Sequence, residues 1–268
     1  MHDSHPVPAV VVGIDGSQAA LSAAVWAAGE AADRGIPLKL VYVIYDADLP
    51  GAEIGCDTDR GGDQLAAAHA ALADARRAVQ ATETPANVET EVRWGNPLAT
   101  LIELSRSAAM VCVGAIGIEH ACHRAGSTAA ALAGSAGCPV AVIRGSDLGR
   151  RAETGHIVVE VDASPDNNVV LRWALAEAKL RRAPLRVITA DQTAQPSRLI
   201  DRWAPRYPDV LVESVAVSGG VTEYLAACLA EEGESIRLFV SGTRDRRSLG
   251  WPGDAGGCSV LTVAGTWW

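Results

Sequence analysis

Val10-Val11-Val12-Gly13-Ile14-Asp15-Gly16-Ser17 recurs 147 positions later as Ile157-Val158-Val159-Glu160-Val161-Asp162-Ala163-Ser164. In each, a run rich in β-branched residues reads as a strand buried on both faces. The Asp and Ser that follow read as a turn and a helix start. The correspondence continues without a gap. Trp26-Ala27 matches Trp173-Ala174, Glu30-Ala31 matches Glu177-Ala178, Arg34 matches Arg181, and Pro37-Leu38 matches Pro184-Leu185. Agreement of this kind marks tandem copies of one domain. We take residues 1–146 and 156–268 as the two copies, with the Gly-, Arg- and Ser-containing stretch 145–155 as the linker.

Outward from that strand, the first copy alternates strand-like and helix-like segments. Strands are expected at 9–14, 38–44, 88–92, 110–114 and 140–143. Helices are expected at 17–33, 64–80, 97–105 and 127–136, with Ser17 and Asn96 as N-caps and a glycine-containing loop over 46–62. Alternation of this type gives a parallel sheet with helices on both faces. Right-handed crossovers and short connections favour a five-stranded, doubly wound α/β domain. Ligands of such sheets lie beyond the carboxyl ends of the strands, where strand order reverses. Asp15 and Gly114 both stand at strand ends of this kind.

Bulk composition narrows the function classes. About half the 268 residues are apolar (49%), enough for sizeable cores. The net charge of −9 disfavours sequence-independent binding to nucleic acid or an anionic membrane. Lys39 and Lys179 are the only lysines against 21 arginines, a bias typical of GC-rich bacterial genomes. The cysteines at 56, 112, 122, 138, 228 and 258 form no C-x-x-C and match no zinc spacing. No signal segment or membrane-length apolar run is evident, so a cytoplasmic, reduced protein is expected.

The first copy also carries Gly114-Ala115-Ile116-Gly117, eight intervening residues, and Gly126-Ser127-Thr128. Glycines between a strand and a helix let backbone N–H groups approach a ligand, and hydroxyls at a helix start add donors. The stretch reads as a phosphate cradle. It is neither a P-loop, which needs Gly-Lys-Ser/Thr, nor G-x-G-x-x-G.

Taken together, the opening strand with Val-Gly-x-Asp-Gly-Ser, Val41-Tyr42-Val43-Ile44, the glycine loop and Gly137-Cys138-Pro139-Val140-Ala141-Val142-Ile143 resemble the universal stress protein family. The tandem form resembles actinobacterial members linked to hypoxia and dormancy responses. The resemblance implies an adenine-nucleotide α-hydrolase-like sheet of order 3-2-1-4-5 in each copy. It implies ATP as cofactor, with Mg²⁺ admitted beside it. Asp15 would then bond the adenine or ribose end, and Val43 would line the adenine pocket. Gly114 and Gly117 would admit ribose and phosphates, and Gly126, Ser127 and Thr128 would bind the outer phosphates. The family's last strands commonly pair across a dimer, which implies an intramolecular pseudo-dimer here or a homodimer of whole chains. The role expected is that of a stress-response regulator with a protein partner, not an enzyme.

Two departures qualify that expectation. The family's ATP-binding pattern has nine residues between its second and third glycines, and this chain has eight. The loop either absorbs the deletion or displaces its donors. In the second copy Asp245 replaces the second glycine, and only 15 residues separate Gly242 from Cys258, against 23 between Gly114 and Cys138. Its nucleotide site is expected to be lost. A nucleotide-free interaction scaffold is the rival reading. A redox or metal sensor at His120, Cys122 and His123 is a third. Trp26 and Trp173 read as packing residues, and Trp267-Trp268 as a tail that covers apolar surface.

Overall fold

The computed structural model describes residues 7–45, 58–115, 127–144, 155–162, 164, 166–189, 196–217, 220–230, 236–242 and 258–263. Contacts divide the chain into two units, Met1–Leu148 and Gly149–Trp268.

The first unit contains β1 (Val10–Ile14), α1 (Gln18–Arg34), β2 (Leu38–Ile44), α2 (Thr58–Gln80), β3 (Val88–Trp94), α3 (Pro97–Ser105), β4 (Met110–Gly114), α4 (Ser127–Ser135) and β5 (Val140–Ile143). The strands are parallel, as the alternating pattern predicts, and lie in the order β3-β2-β1-β4-β5 that the family resemblance implies. Strand order therefore reverses between β1 and β4. Two glycines show how the faces are divided. A Cβ on Gly13 would meet Leu101 of α3 and Val113, whereas one on Gly114 would meet α1. Since Val12 pairs with Cys112, these two positions point to opposite faces. α1 and its neighbour α2 thus cover one face, and α3 with α4 covers the other.

Helix boundaries follow from local chemistry. Ser17 is the N-cap of α1: its Oγ accepts from Ala20 N–H at 3.1 Å, satisfying one of the free donors of the first turn. Asn96 Oδ1 does the same for Ala99 N–H at 3.0 Å in α3, with Pro97 at the first helical position. Two boundaries differ from expectation by more than one residue: β3 runs past 92 to Trp94, where its pairing with β2 continues, and α2 starts early. The predicted loop through Gly62 ends earlier, because α2 begins at Thr58 and carries Gly61 and Gly62 inside it. Each glycine costs roughly 1 kcal/mol of helix propensity. The rest of this 23-residue helix packs on β2, β3 and α1 and offsets that cost.

The second unit contains β6 (His156–Glu160), α5 (Asn167–Arg181), β7 (Leu185–Thr189), α6 (Pro196–Trp203), β8 (Val212–Ala216), α7 (Val221–Ala230), β9 (Ile236–Gly242) and β10 (Val260–Val263). Its parallel strands run β10-β9-β6-β7-β8, the same order as in the first unit. α7 is tied to the sheet through Arg186, which donates to the Tyr224 hydroxyl at 3.1 Å and to Glu213 at 3.3 Å. α6 is tied to α5 by Trp203. The Arg172 and Arg206 guanidinium groups both lie over its ring, 4.9 and 4.8 Å from the centroid, and its Nε1–H donates to Asn168 Oδ1 at 3.1 Å. The predicted loss of the fourth helix concerns residues 243–257, which lie outside the described residues.

The repeat extends to ion pairs and caps. Glu30 pairs with Arg34 at 3.0 Å, and Glu177 pairs with Arg181, four residues on in each helix. Both carboxylates are buried, 1% and 0% exposed, so each must keep its cation. Both helices end in a left-handed residue whose own N–H and that of its successor close on the last turn. In the first unit this residue is Gly35, at φ 64°; in the second it is Arg182, at φ 48°. A side chain in this region costs about 1–2 kcal/mol. Arg182 is exposed, so Arg182→Gly is expected to stabilise the protein by roughly 1 kcal/mol in chemical denaturation. A loss of stability would contradict this account of the cap.

Candidate functional site

β1 ends in a turn dictated by three residues. Gly16 takes φ 83°, a conformation that a side chain resists. Asp15 Oδ1 accepts from Ser17 N–H at 2.9 Å, an Asx turn that orients Ser17 as helix cap. Asp15 is exposed, and its second carboxylate oxygen has no protein partner among the described residues.

Across the strand-order reversal, β4 ends at Gly114. A Cβ there would lie 2.7 Å from Ala19 C, 2.8 Å from Ala19 Cβ and 2.8 Å from Ala20 N. The glycine is therefore required by the first turn of α1, whatever ligand the site holds. α1 approaches this closely because its buried face is nearly all alanine: Ala20, Ala23, Ala24, Ala27, Ala28 and Ala31. Ala115 follows, buried, with its N–H bonded to Ile143 O at 2.8 Å.

Val43 is half-buried near the end of β2. Tyr42 pairs with Ile14, so Val43 stands across from Asp15, one position past the last pair. α4 begins at Ser127, and Thr128 is exposed in its first turn. The structure thus brings Asp15, Val43 and Gly114 to the carboxyl edge at the reversal. Gly117, Gly126, Glu119, His120, Cys122, His123 and Arg124 lie outside the described residues. Among the described residues no group of three or more His, Cys, Asp and Glu could hold a metal ion. No helix of the described residues is long and apolar enough to cross a membrane.

Sequence reasoning missed a charged cluster beside this edge. On β2 and β3, Glu91 forms ion pairs with Lys39 and, at 2.6 Å, with Arg93. Partial burial works to raise the Glu91 carboxyl, but hydrogen bonds and charge from Lys39 and Arg93 outweigh it and hold it below its ordinary value. Tyr45 and Trp94, 57% and 50% exposed, stand at the ends of the same strands. The signal for such a cluster is cross-strand register, which the linear sequence does not carry.

The second unit repeats the turn but not its surroundings. Asp162 Oδ1 accepts from Ser164 N–H at 2.7 Å, as Asp15 does from Ser17. The helix, however, starts two residues later in the repeat. Its first residue, Asn167, takes the place of Ala20 and donates its amide to Asp162 O at 2.6 Å. The alanines at 23, 24 and 28 correspond to Val170, Leu171 and Leu175, all buried. These larger side chains fill the helix face that α1 leaves to alanine. Among the described residues, a Cβ on Gly242, the counterpart of Gly114, would meet only Val170 Cγ2 at 3.5 Å, an ordinary contact. Across the sheet, Gly13, Val113 and Val142 correspond to Glu160, Ser241 and Thr262. An apolar row has become polar. Thr262 Oγ1, buried there, has no hydrogen-bond partner among the described residues.

A family model described as the universal stress protein family matches residues 7–144. The chain is 46% identical to the universal stress protein Rv3134c of Mycobacterium tuberculosis, over 98% of each chain. It is 43% identical to Rv2028c of the same organism, again over 98% of each. Among solved structures, a universal stress protein from Archaeoglobus fulgidus superposes with a TM-score of 0.73 at 16% identity, over 97% of each chain, which is a likeness of fold.

Two predictions follow from this geometry. Gly114→Ala places a methyl group against helix backbone and is expected to cost about 1–3 kcal/mol. Gly242→Ala is expected to change stability by less than about 0.5 kcal/mol, since among the described residues it meets nothing nearer than an ordinary van der Waals contact. Urea titration of both variants decides it, and equal effects would refute the different helix approaches. Separately, burial pushes the Cys138 thiol up to about 12, against a backbone hydrogen bond that lowers it. Cys138 is expected to resist a thiol-specific disulfide reagent at pH 8 until the protein unfolds. Labelling of Cys138 in the native protein, read by peptide mass spectrometry, would contradict this.

Proposed function

Because the chain belongs to the universal stress protein family, we propose that its first unit binds an adenosine nucleotide, with ATP the main ligand, and acts as a ligand-dependent regulator. The carrying observation is that Asp15 and Val43 stand side by side at the strand ends beside the reversal, one position past the last pair. One offers a free carboxylate oxygen, the other an apolar wall. That combination suits a nucleoside, whose hydroxyl or amino groups donate and whose base is flat and apolar on its faces. Phosphates would extend toward the start of α4, where first-turn N–H groups and the Thr128 hydroxyl favour anions. Gly117, Gly126 and Ser127 complete the set on the strength of the sequence motif. Mg²⁺, if carried, would enter with the phosphates.

In this reading the protein is not a dedicated enzyme. Neither lysine falls in the phosphate loop, and slow ATP hydrolysis would rely on Glu119 or His120 as a weak base. The second unit, with Asn167 in place of Ala20 and Asp245 in the loop, does not take nucleotide. A cytoplasmic location, a role in stress, hypoxia or dormancy responses, and a protein partner belong to the same reading.

The rival is a scaffold of the same fold without nucleotide. The eight-residue spacing between Gly117 and Gly126 favours it. Heat-denaturing the purified protein and identifying released nucleotide separates the two, together with equilibrium dialysis against ATP. One adenosine nucleotide per chain is expected. Asp15→Asn keeps an acceptor for Ser17 N–H while removing the charge, so it should weaken ATP binding about tenfold with little change in stability. No released nucleotide and no binding at millimolar ATP would leave the scaffold standing.

A further inference from the structure

We propose that Arg93 reads the base of the nucleotide held in the first unit, an inference that rests on the adenosine-nucleotide reading above. Arg93 pairs with Val43 across β3 and β2, and Val43 in turn stands across from Asp15. The three form one row over adjacent strands, each step about 4.8 Å. They also share a face. Side chains alternate along a strand, so Lys39, Val41 and Val43 point the same way, as do Glu91 and Arg93. The ion pairs of Glu91 with both Lys39 and Arg93 require that common side. Gly13 pairs with Val41, and its missing Cβ faces Leu101, so this is the side covered by α3.

The guanidinium is fixed and still has donors to give. Nε–H donates to Glu91 Oε1 at 2.6 Å, and Glu91 is held in place by Lys39. The remaining N–H groups of Arg93 make no hydrogen bond among the described residues, and the side chain is 32% exposed. A planar donor fork of this kind suits ring nitrogens and carbonyl oxygens, and it also stacks on flat rings. Position decides which part of the ligand it meets. The phosphate loop follows β4, on one side of β1; Arg93 lies on β3, on the other side, beyond Val43. It therefore meets the base end and not the phosphates. The exposed ring of Tyr45, just after Val43 and Ile44, supplies further flat surface at that end.

The test compares AMP, ADP and ATP binding by calorimetry to the wild-type chain, Arg93→Met and Arg93→Lys. A base contact predicts a loss of about tenfold for all three nucleotides alike in Arg93→Met. Arg93→Lys, which keeps the charge without the fork, should lose nearly as much. A loss that grows from AMP to ATP would assign Arg93 to the phosphates and overturn the proposal. Unchanged affinity, or full recovery with lysine, would reduce Arg93 to a surface ion pair and overturn it as well. If the wild-type chain binds none of the three, the nucleotide reading itself fails and this inference falls with it. Arg93 is half-exposed on an edge strand, so thermal unfolding of both variants should match the wild type within a few degrees.

Discussion

The end of β4 and the first turn of α1 share a space too small for one methyl group. Gly114 is the only residue type that fits there, since any Cβ would sit within 2.8 Å of α1 atoms, backbone included. The contact sets much of the first unit. It fixes how far the helix start stands from the reversal between β1 and β4. That start is reached through Gly16, Asp15 and Ser17, whose turn and cap are built to deliver the chain there. The candidate site is the remaining edge of the same junction: Asp15 on one strand, Val43 beside it, and the chain leaving β4 opposite.

The second unit shows what happens when that constraint is relaxed. Its strand order, Asx turn, buried carboxylate pair and left-handed helix end are all retained. Its helix face, however, carries Val170, Leu171 and Leu175 in place of three alanines, and the glycine on the facing strand is no longer pressed. Asn167 then occupies the helix start, and Glu160, Ser241 and Thr262 replace an apolar row across the strand ends. Topology thus survives changes that remake the end of the sheet where ligands bind.

Much of the fold was legible in the sequence because its signals are local. The β-branched run at Val10–Ile14, the caps at Ser17 and Asn96 and the gap-free repeat each depend on neighbours in the chain. The start of α2 departs from the sequence pattern for the complementary reason. Gly61 and Gly62 are poor helix formers, and only packing of the whole helix against β2 and β3 overrides them. The site was legible in part. Asp15 and Gly114 were placed at strand ends by pattern, but the reason for Gly114 emerged only from the proximity of Ala19 and Ala20. Arg93 was invisible as a neighbour of Val43, fifty positions apart, because register between strands is not written in either strand alone.

The alanine face of α1 also limits how the two halves can be treated as interchangeable parts. The repeats align without a gap through the first helix, so an exchange of α1 and α5 looks neutral on paper. It is not neutral in space. α5 would bring Val170, Leu171 and Leu175 to a sheet whose nearest strand end already touches helix backbone. α1 would leave the second unit with a gap at the three positions those side chains fill. Each helix has become fitted to its own sheet, so the smallest unit that can be moved intact is the whole domain. Duplication supplied two copies of one plan, and side-chain volume at three helix positions has since made them separate lineages.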